Sequence, residues 1–332
     1  MIGQGMRWPA KLGVAVTTSL VAFVGLGEVG LRLWNPLAVR LFDAHVRGTP
    51  GERVMVVDTT YKENPRNGIY TRDEELGYRP VLGGAEYGPS GAKWNDYPAE
   101  KRPGVRRLLF LGDSVTQRAK ILDGLRERLD AGVELWNAGV IGYATRQELE
   151  YYRRYLGGLA PDHVVLSFHL NDYETTPITF MDGDQFVAVY GRLGSTPPSP
   201  WFLLHSYLYR YLWSVRLAAT HVERSRAIEQ EVEQSLGELQ ALVRERGAEF
   251  SVLVLPWFLP EPQWSEELRR HQRETVQLLE RLGVRHYEFL DTLERAVADG
   301  ITIQETPGDV QHPSGEFGQR MAADLLARGF RP

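Results

Sequence analysis

The sequence predicts an α/β fold of three layers, with helices on both faces of a central, mainly parallel five-stranded sheet and an N-terminal membrane segment ahead of it. Three observations carry this expectation. From Arg106 onward, apolar runs of strand length alternate with longer stretches of helix length. Those runs are continuously apolar, as in strands buried on both faces. Near the start, Leu12 to Gly27 holds no charge, and Arg7 and Lys11 precede it.

The N-terminal stretch, residues 1–34, has three readings. It is an uncleaved signal anchor, a signal peptide cleaved near the weak small-x-small site Gly25-Leu26-Gly27, or a buried helix of a soluble protein. In a continuing helix, Glu28 and Arg32 lie four apart on one face and can pair near the interface. Trp8 and Trp34 would bracket the span as interfacial aromatics. The first eleven residues carry positive charge and no acid, which keeps them cytoplasmic. Both membrane readings then put the body outside the cytoplasmic membrane, either single-pass with the N-terminus inside or secreted to the periplasm after cleavage.

Residues 35–104 are rich in turn formers, as in "GGAEYGPSGAKWNDYP", and read as a stalk or extension with short strands near Tyr70 and Tyr78. The main domain, 105–332, opens with "RLLFLG", a doubly buried strand, followed by a helix over 116–130. "VELWNAG" is the second strand. The helix "TRQELEYYRRYLGGL" has Thr145 as its cap and Glu148 placed for a capping box. "HVVLSFHL" is the third strand, 222–246 a long charged helix ended by Gly247, and "FSVLVLP" the fourth strand. A helix over 265–282, the strand "RHYEFLD" and a last helix from Gly315 to Arg328 complete it. Residues 173–221 break the rhythm and crowd Trp201, Phe202, Tyr207, Tyr209, Tyr211 and Trp213 together. They read as a helix packed on the domain or its extension, or as a groove wall or membrane-facing surface.

Composition narrows the partners. The chain has 332 residues, 43% of them hydrophobic, enough for one large domain with additions. A net charge of −5 without a long basic run argues against nucleic acid. The sequence holds no cysteine, which removes disulfides and thiolate metal sites. There is no HExxH, and His163, His205 and His286 show no ligand spacing, so neither metal nor cofactor is expected.

Four short motifs fall at the carboxyl ends of strands or before the last helix, where ligands bind on such sheets. In "LLFLGDSVTQ", Ser114 either caps the following helix or is a nucleophile at its positive end. "GDVQHPSG" supplies Asp309 and His312; the aspartate can orient the ring so that its other nitrogen takes a serine proton. Alternatively, this is a polar loop whose Ser314 caps the last helix. "NAGVIGYAT" offers a glycine turn whose N–H groups can face the site, or is an ordinary strand-to-helix turn. "HLNDY" offers the Asn171 amide as a donor, or a loop asparagine.

Taken in order, GDS, NxGxxGxxT, ND and DxxH resemble the blocks of the SGNH, or GDSL, hydrolase superfamily over roughly residues 104–332. The resemblance implies a flavodoxin-like sheet, Ser114 as nucleophile, Asp309 and His312 as acid and base, and Ser114, Gly142 and Asn171 as the oxyanion hole. One departure is His169, which stands where the third block usually has glycine; it packs there or narrows the pocket. The family spans esterases, lipases, thioesterases, deacetylases and acyltransferases, and fold does not choose among them. The anchor and extension also resemble membrane-tethered bacterial relatives, some of which act on O-acyl groups of surface polysaccharides or beside a membrane acyltransferase. The expected activity is a serine esterase acting on an acylated extracytoplasmic glycan. The alternatives are an acyltransferase onto such a glycan, a lipase or thioesterase, and a non-catalytic glycan-binding protein.

Overall fold

The computed structural model describes residues 8–36, 39, 54–57, 69–173, 178–182, 185–189 and 199–331. The side chains of Trp8 and Lys11, and all of Arg7, lie outside the described residues, as do parts of 35–104 and of 173–221. The chain forms two compact units, Met1–Val56 with Ser195–Arg224, and Val57–Gly194 with Ser225–Pro332. This division joins 195–224 to the N-terminal segment. The helices are α1 (Trp8–Trp34), α2 (Ser114–Gln117), α3 (Lys120–Arg126), α4 (Thr145–Tyr151), α5 (Pro200–His205), α6 (Tyr207–Ala219), α7 (His221–Glu245), α8 (Glu266–Arg281), α9 (Leu290–Ala298) and α10 (Gly315–Ala327).

The second unit is built on strands β1 (Arg106–Gly112), β2 (Val133–Asn137), β3 (His163–His169), β4 (Glu249–Leu255) and β5 (Arg285–Glu288). They pair in the order β2-β1-β3-β4-β5, all parallel. Chain order reverses direction between β1 and β3, so the crevice beyond their carboxyl ends is the topological switch point. Gly112 pairs with Ser167 there, which brings the loops after β1 and β3 side by side. On one face Leu108, Phe110, Val165, Leu253 and Tyr287 join Ile121 and Leu125 of α3, Leu293 of α9, and Phe317, Met321 and Leu325 of α10 in one apolar cluster. The alternate strand residues Leu109, Leu111, Val164, Leu166, Val252 and Val254 point the other way. They are buried, as are Leu149 of α4, Leu236 and Leu239 of α7 and Leu279 of α8 on the helices of that side.

Several local expectations are corrected. The helix over 116–130 is two helices, α2 and α3, with Ala119 left-handed at φ 60° between them. The break lets α2 follow the turn after β1 while α3 lies against α10. Thr145 is not the cap of α4; Ala144 holds that position, and Gln147 takes the place given to Glu148 by accepting from the Ala144 N–H at 3.2 Å. Glu148 instead turns inward and is buried. A hairpin pairs Ile178–Asp182 with Gln185–Val189 inside the long third connection. The aromatic helices α5 and α6 fall in the first unit with α1.

Residues 69–104, where described, are fastened to the sheet. Tyr70–Asp73 pairs antiparallel with Gly77–Pro80. Arg107, fully buried in a strand that reads as apolar, ion-pairs with Glu134 at 2.8 Å and donates to the carbonyls of Pro98, Ala99 and Leu159 at 3.0, 2.9 and 2.8 Å.

In the first unit, α1 contains Leu12–Trp34, long and apolar enough to cross a membrane, and an 18-residue window of it has a mean hydropathy of 1.8 with no buried residue.

Candidate active site

β1 ends on Gly112, whose φ of 151° and close approach to Thr116 leave no room for a side chain. The chain then turns sharply into α2. Asp113 is its cap: Oδ1 accepts from the Val115 N–H at 2.8 Å. Ser114, the first helical residue, therefore sits at the positive end of the turn, 7% exposed.

His312 arrives from the loop before α10, whose own cap is Ser314, accepting from Phe317 N–H at 3.0 Å. Its Nε2 lies 2.9 Å from Ser114 Oγ. Its Nδ1 faces the Asp309 carboxylate, 2.8 Å from Oδ2 and 3.0 Å from Oδ1. The N–H groups of Gln311 and His312 also donate to Asp309 Oδ1, at 3.1 and 3.2 Å, so the three-residue spacing builds a turn that holds the carboxylate under the ring. Burial works to raise the Asp309 carboxyl. The hydrogen bonds from His312 and from the Gln311 N–H outweigh it and hold the group below the usual carboxylate range.

Asn171 follows β3. Its Nδ2 donates to Asp113 Oδ2 at 2.8 Å, and its Oδ1 meets His169 Nδ1 at 2.8 Å. His169 packs, as one of its two readings had it, and also makes a hydrogen bond. It is fully buried, lies parallel to Trp257 and Phe258 with centroids 5.1 and 5.7 Å away, and holds the amide. Burial first, against the pull of Asp113, keeps its imidazole below the ordinary histidine value, so the ring is neutral.

Gly142 sits in the turn closed by the Tyr143 N–H on Val140 O at 3.1 Å, with φ 68°. Among the described residues, neither the Ser114 nor the Gly142 N–H has an acceptor within the chain. Residues that sequence reasoning missed hold this turn. Tyr87 OH donates to Gly139 O at 2.7 Å, Tyr78 OH to Ile141 O, and Tyr143 OH to Tyr78 O at 2.8 Å. Gln117, one turn past Ser114, donates to Tyr70 OH at 2.7 Å and to Tyr87 OH at 3.0 Å. The only signal for them was the density of tyrosines in "extension" and helix alike.

Behind Asp113 lies Glu148, whose carboxyl oxygens have no hydrogen-bond partner among the described residues. Burial, and after it the negative charge of Asp113, hold this carboxyl well above the usual range. Away from the site, Glu229, His271 and Glu274 bring their ligand atoms within 4.8 Å of one another. Arg270 already ion-pairs with Glu229 at 3.2 Å and Glu274 at 3.4 Å, so that group has its own cation.

No family profile and no curated protein matches the chain. Solved structures do. LAE5, an α/β hydrolase enzyme from the metagenome of Lake Arreo, Spain, is similar at a TM-score of 0.45 and 17% identity, over 68% of this chain and 95% of its own. Axe2, an acetylxylan esterase from Geobacillus stearothermophilus, is similar at 0.45 and 15%, over 70% of this chain and 98% of its own. At such identities the roles of side chains rest on the geometry of this chain.

Proposed function

We propose that the chain is a serine esterase of the SGNH type, anchored by α1, that removes a small acyl group, acetyl above all, from an extracytoplasmic glycan. The observation that carries the reaction is the continuous line Asp309–His312–Ser114 at the switch point of the sheet. Asp309 takes the hydrogen bond from His312 Nδ1–H, leaving Nε2 unprotonated against Oγ. As Oγ attacks the ester carbon, Nε2 takes its proton and the carbonyl electron pair moves to oxygen. The N–H groups of Ser114 and Gly142 and the second N–H of the Asn171 amide are the donors for that oxyanion. His312 returns the proton to the departing alkoxide, which leaves as the sugar hydroxyl. Water then gives a proton to Nε2 and attacks the acyl-serine; as the intermediate collapses, Nε2 returns that proton to Ser114 Oγ, which releases the carboxylic acid and restores both residues.

The extracytoplasmic placement rests on α1 and on the positive residues ahead of it. An active-serine phosphonate probe and hydrolysis of a small acetyl ester test the reading. Wild type labels and turns over, while Ser114→Ala does neither, with kcat down by roughly 10⁴ or more. Equal turnover by the variant overturns it. Acetate release from an acetylated polysaccharide tests the substrate; transfer to added sugar in excess of hydrolysis would make the protein an acyltransferase instead.

A further inference from the structure

Glu28 is an acidic residue inside the apolar stretch Leu12–Trp34. A carboxylate at membrane depth is costly unless it is paired and hydrogen-bonded. Here it is held by the start of α6. The Tyr207 N–H donates to its Oε1 at 2.9 Å, and Ser206 Oγ–H and the Leu208 N–H donate to Oε2 at 2.9 and 3.0 Å. Arg32, one turn on, donates to the same carboxylate at 3.0 Å and to His205 O at 3.3 Å, with its guanidinium 4.8 Å over the Tyr207 ring. Leu208 packs over Gly27, its methyls at ordinary contact distance, 3.5 and 3.6 Å, from where a Cβ would stand.

These contacts fix depth. Glu28 lies six residues before Trp34, about 9 Å along the helix. The first turn of α6 is at that level, and Tyr211 is already level with Trp34, their rings 6.5 Å apart. α5, which leads into this turn, therefore sits beside the last turns of α1. It presents Trp201 and Phe202, 54% and 48% exposed, their rings 5.2 Å apart. Exposed tryptophan beside polar groups at the end of an apolar helix is the chemistry of the headgroup layer. We infer that Pro200–Leu208 is a second membrane-contacting element, lying in the headgroup region of the bilayer beside α1, with Trp201 and Phe202 against lipid.

This rests on α1 crossing the membrane, and one experiment separates the two. The sequence has no cysteine, so single cysteines at Leu20, Trp201, Phe202 and, as an aqueous control in the second unit, Val297 can each take a nitroxide in the full chain. The protein is reconstituted in phosphatidylcholine–phosphatidylglycerol vesicles, and collisions with oxygen and with a water-soluble nickel chelate are compared. Labels at 201 and 202 should favour oxygen, at a shallower depth than the label at 20, while the label at 297 meets nickel. Labels at 201 and 202 as open to nickel as at 297 overturn the inference and leave the anchor standing. Shielding from both reagents means protein covers the site and also overturns it. Nickel access at 20 removes the anchor and the inference together.

Discussion

Asp113 presents only acceptors to Asn171, so the amide nitrogen must face it and Oδ1 is left toward His169. That fixes the His169 tautomer with hydrogen on Nδ1, and the second N–H of the amide remains for a ligand. Asn171→Ala should lower kcat by roughly 10²–10³ with KM little changed, since an oxyanion donor acts mainly in the transition state. His169→Phe keeps the stack on Trp257 and loses the hydrogen bond; a loss of about 5–10-fold in kcat, again at constant KM, matches one such bond. If both variants instead melt early and keep wild-type kcat, the pair merely ties a loop. Glu148 gives a prediction of opposite sign. Its raised value means that the folded chain keeps a proton the unfolded chain gives up, so its contribution is full below the unfolded value of 4.5 and lost as pH rises. Glu148→Gln should therefore raise Tm at pH 8, each kcal/mol being worth roughly 2–4 °C, with the gap closing near pH 4. An unchanged or lower Tm at pH 8 would contradict this. The line Asp309–His312–Ser114 and the Asn171–Asp113 bond were anticipated by motifs because loops after parallel strands converge. His169, Glu148 and the tyrosines were not, because their partners are set by tertiary packing alone.

At the scale of elements, α10 follows the His312 loop and α3 follows the Ser114 turn, so their crossing sets how these two residues meet. It is made of glycines. A Cβ on Gly318 would stand 2.7 Å from Cβ and from the carbonyl O of Lys120, and one on Gly124 would stand 2.7 Å from Ala322 Cβ. Gly318→Ala should cost about 1–3 kcal/mol by overpacking and should lower kcat as well, because Ser314 and His312 lead into the displaced helix. Gly237 in α7 has nothing within 4 Å, and Gly237→Ala should gain up to about 1 kcal/mol with kcat unchanged. Thermal unfolding and kcat of the two variants check this, and a harmless Gly318→Ala would remove the crossing from the account. The same crossing explains what sequence could and could not yield. The strands were legible as unbroken apolar runs. The break at Ala119 was not, since nothing local demands it; α3 must turn there to place Gly124 on α10. Arg107 was read as part of an apolar strand because its four partners come from Glu134 and from distant carbonyls.

For the whole molecule, the shifted histidines act together on stability. His163 in β3 donates or accepts at Ser251 Oγ, 2.8 Å away, and stacks on Phe330. Burial lowers its value to about 4; Glu249 pulls the other way, and Arg106 and Arg285 push further down. A depressed histidine contributes stability that is present above the unfolded value near 6.5 and lost as pH falls toward about 4, here roughly 3 kcal/mol. His169 and His271, both lowered chiefly by burial, act in the same direction. The lowered carboxylates Asp73, Asp162, Asp291, Glu305 and Asp309 add their loss only below the ordinary carboxylate range. The full chain in detergent should thus lose Tm steadily between pH 6.5 and 4.5, and His163→Gln should flatten that slope while leaving catalysis intact at pH 7.5. A variant whose Tm tracks wild type across the range would clear His163 of the effect. Activity separates from this by reversibility and by site. Protonation of His312 would leave Ser114 without a base, and activity lost that way, unlike activity lost to unfolding, returns at once on neutralisation. In His163→Gln the acid limb of kcat/KM should stay where it is in wild type even as the unfolding limb moves, because the two histidines stand at opposite ends of the sheet, one at the start of β3 and the other beyond the carboxyl end of β1.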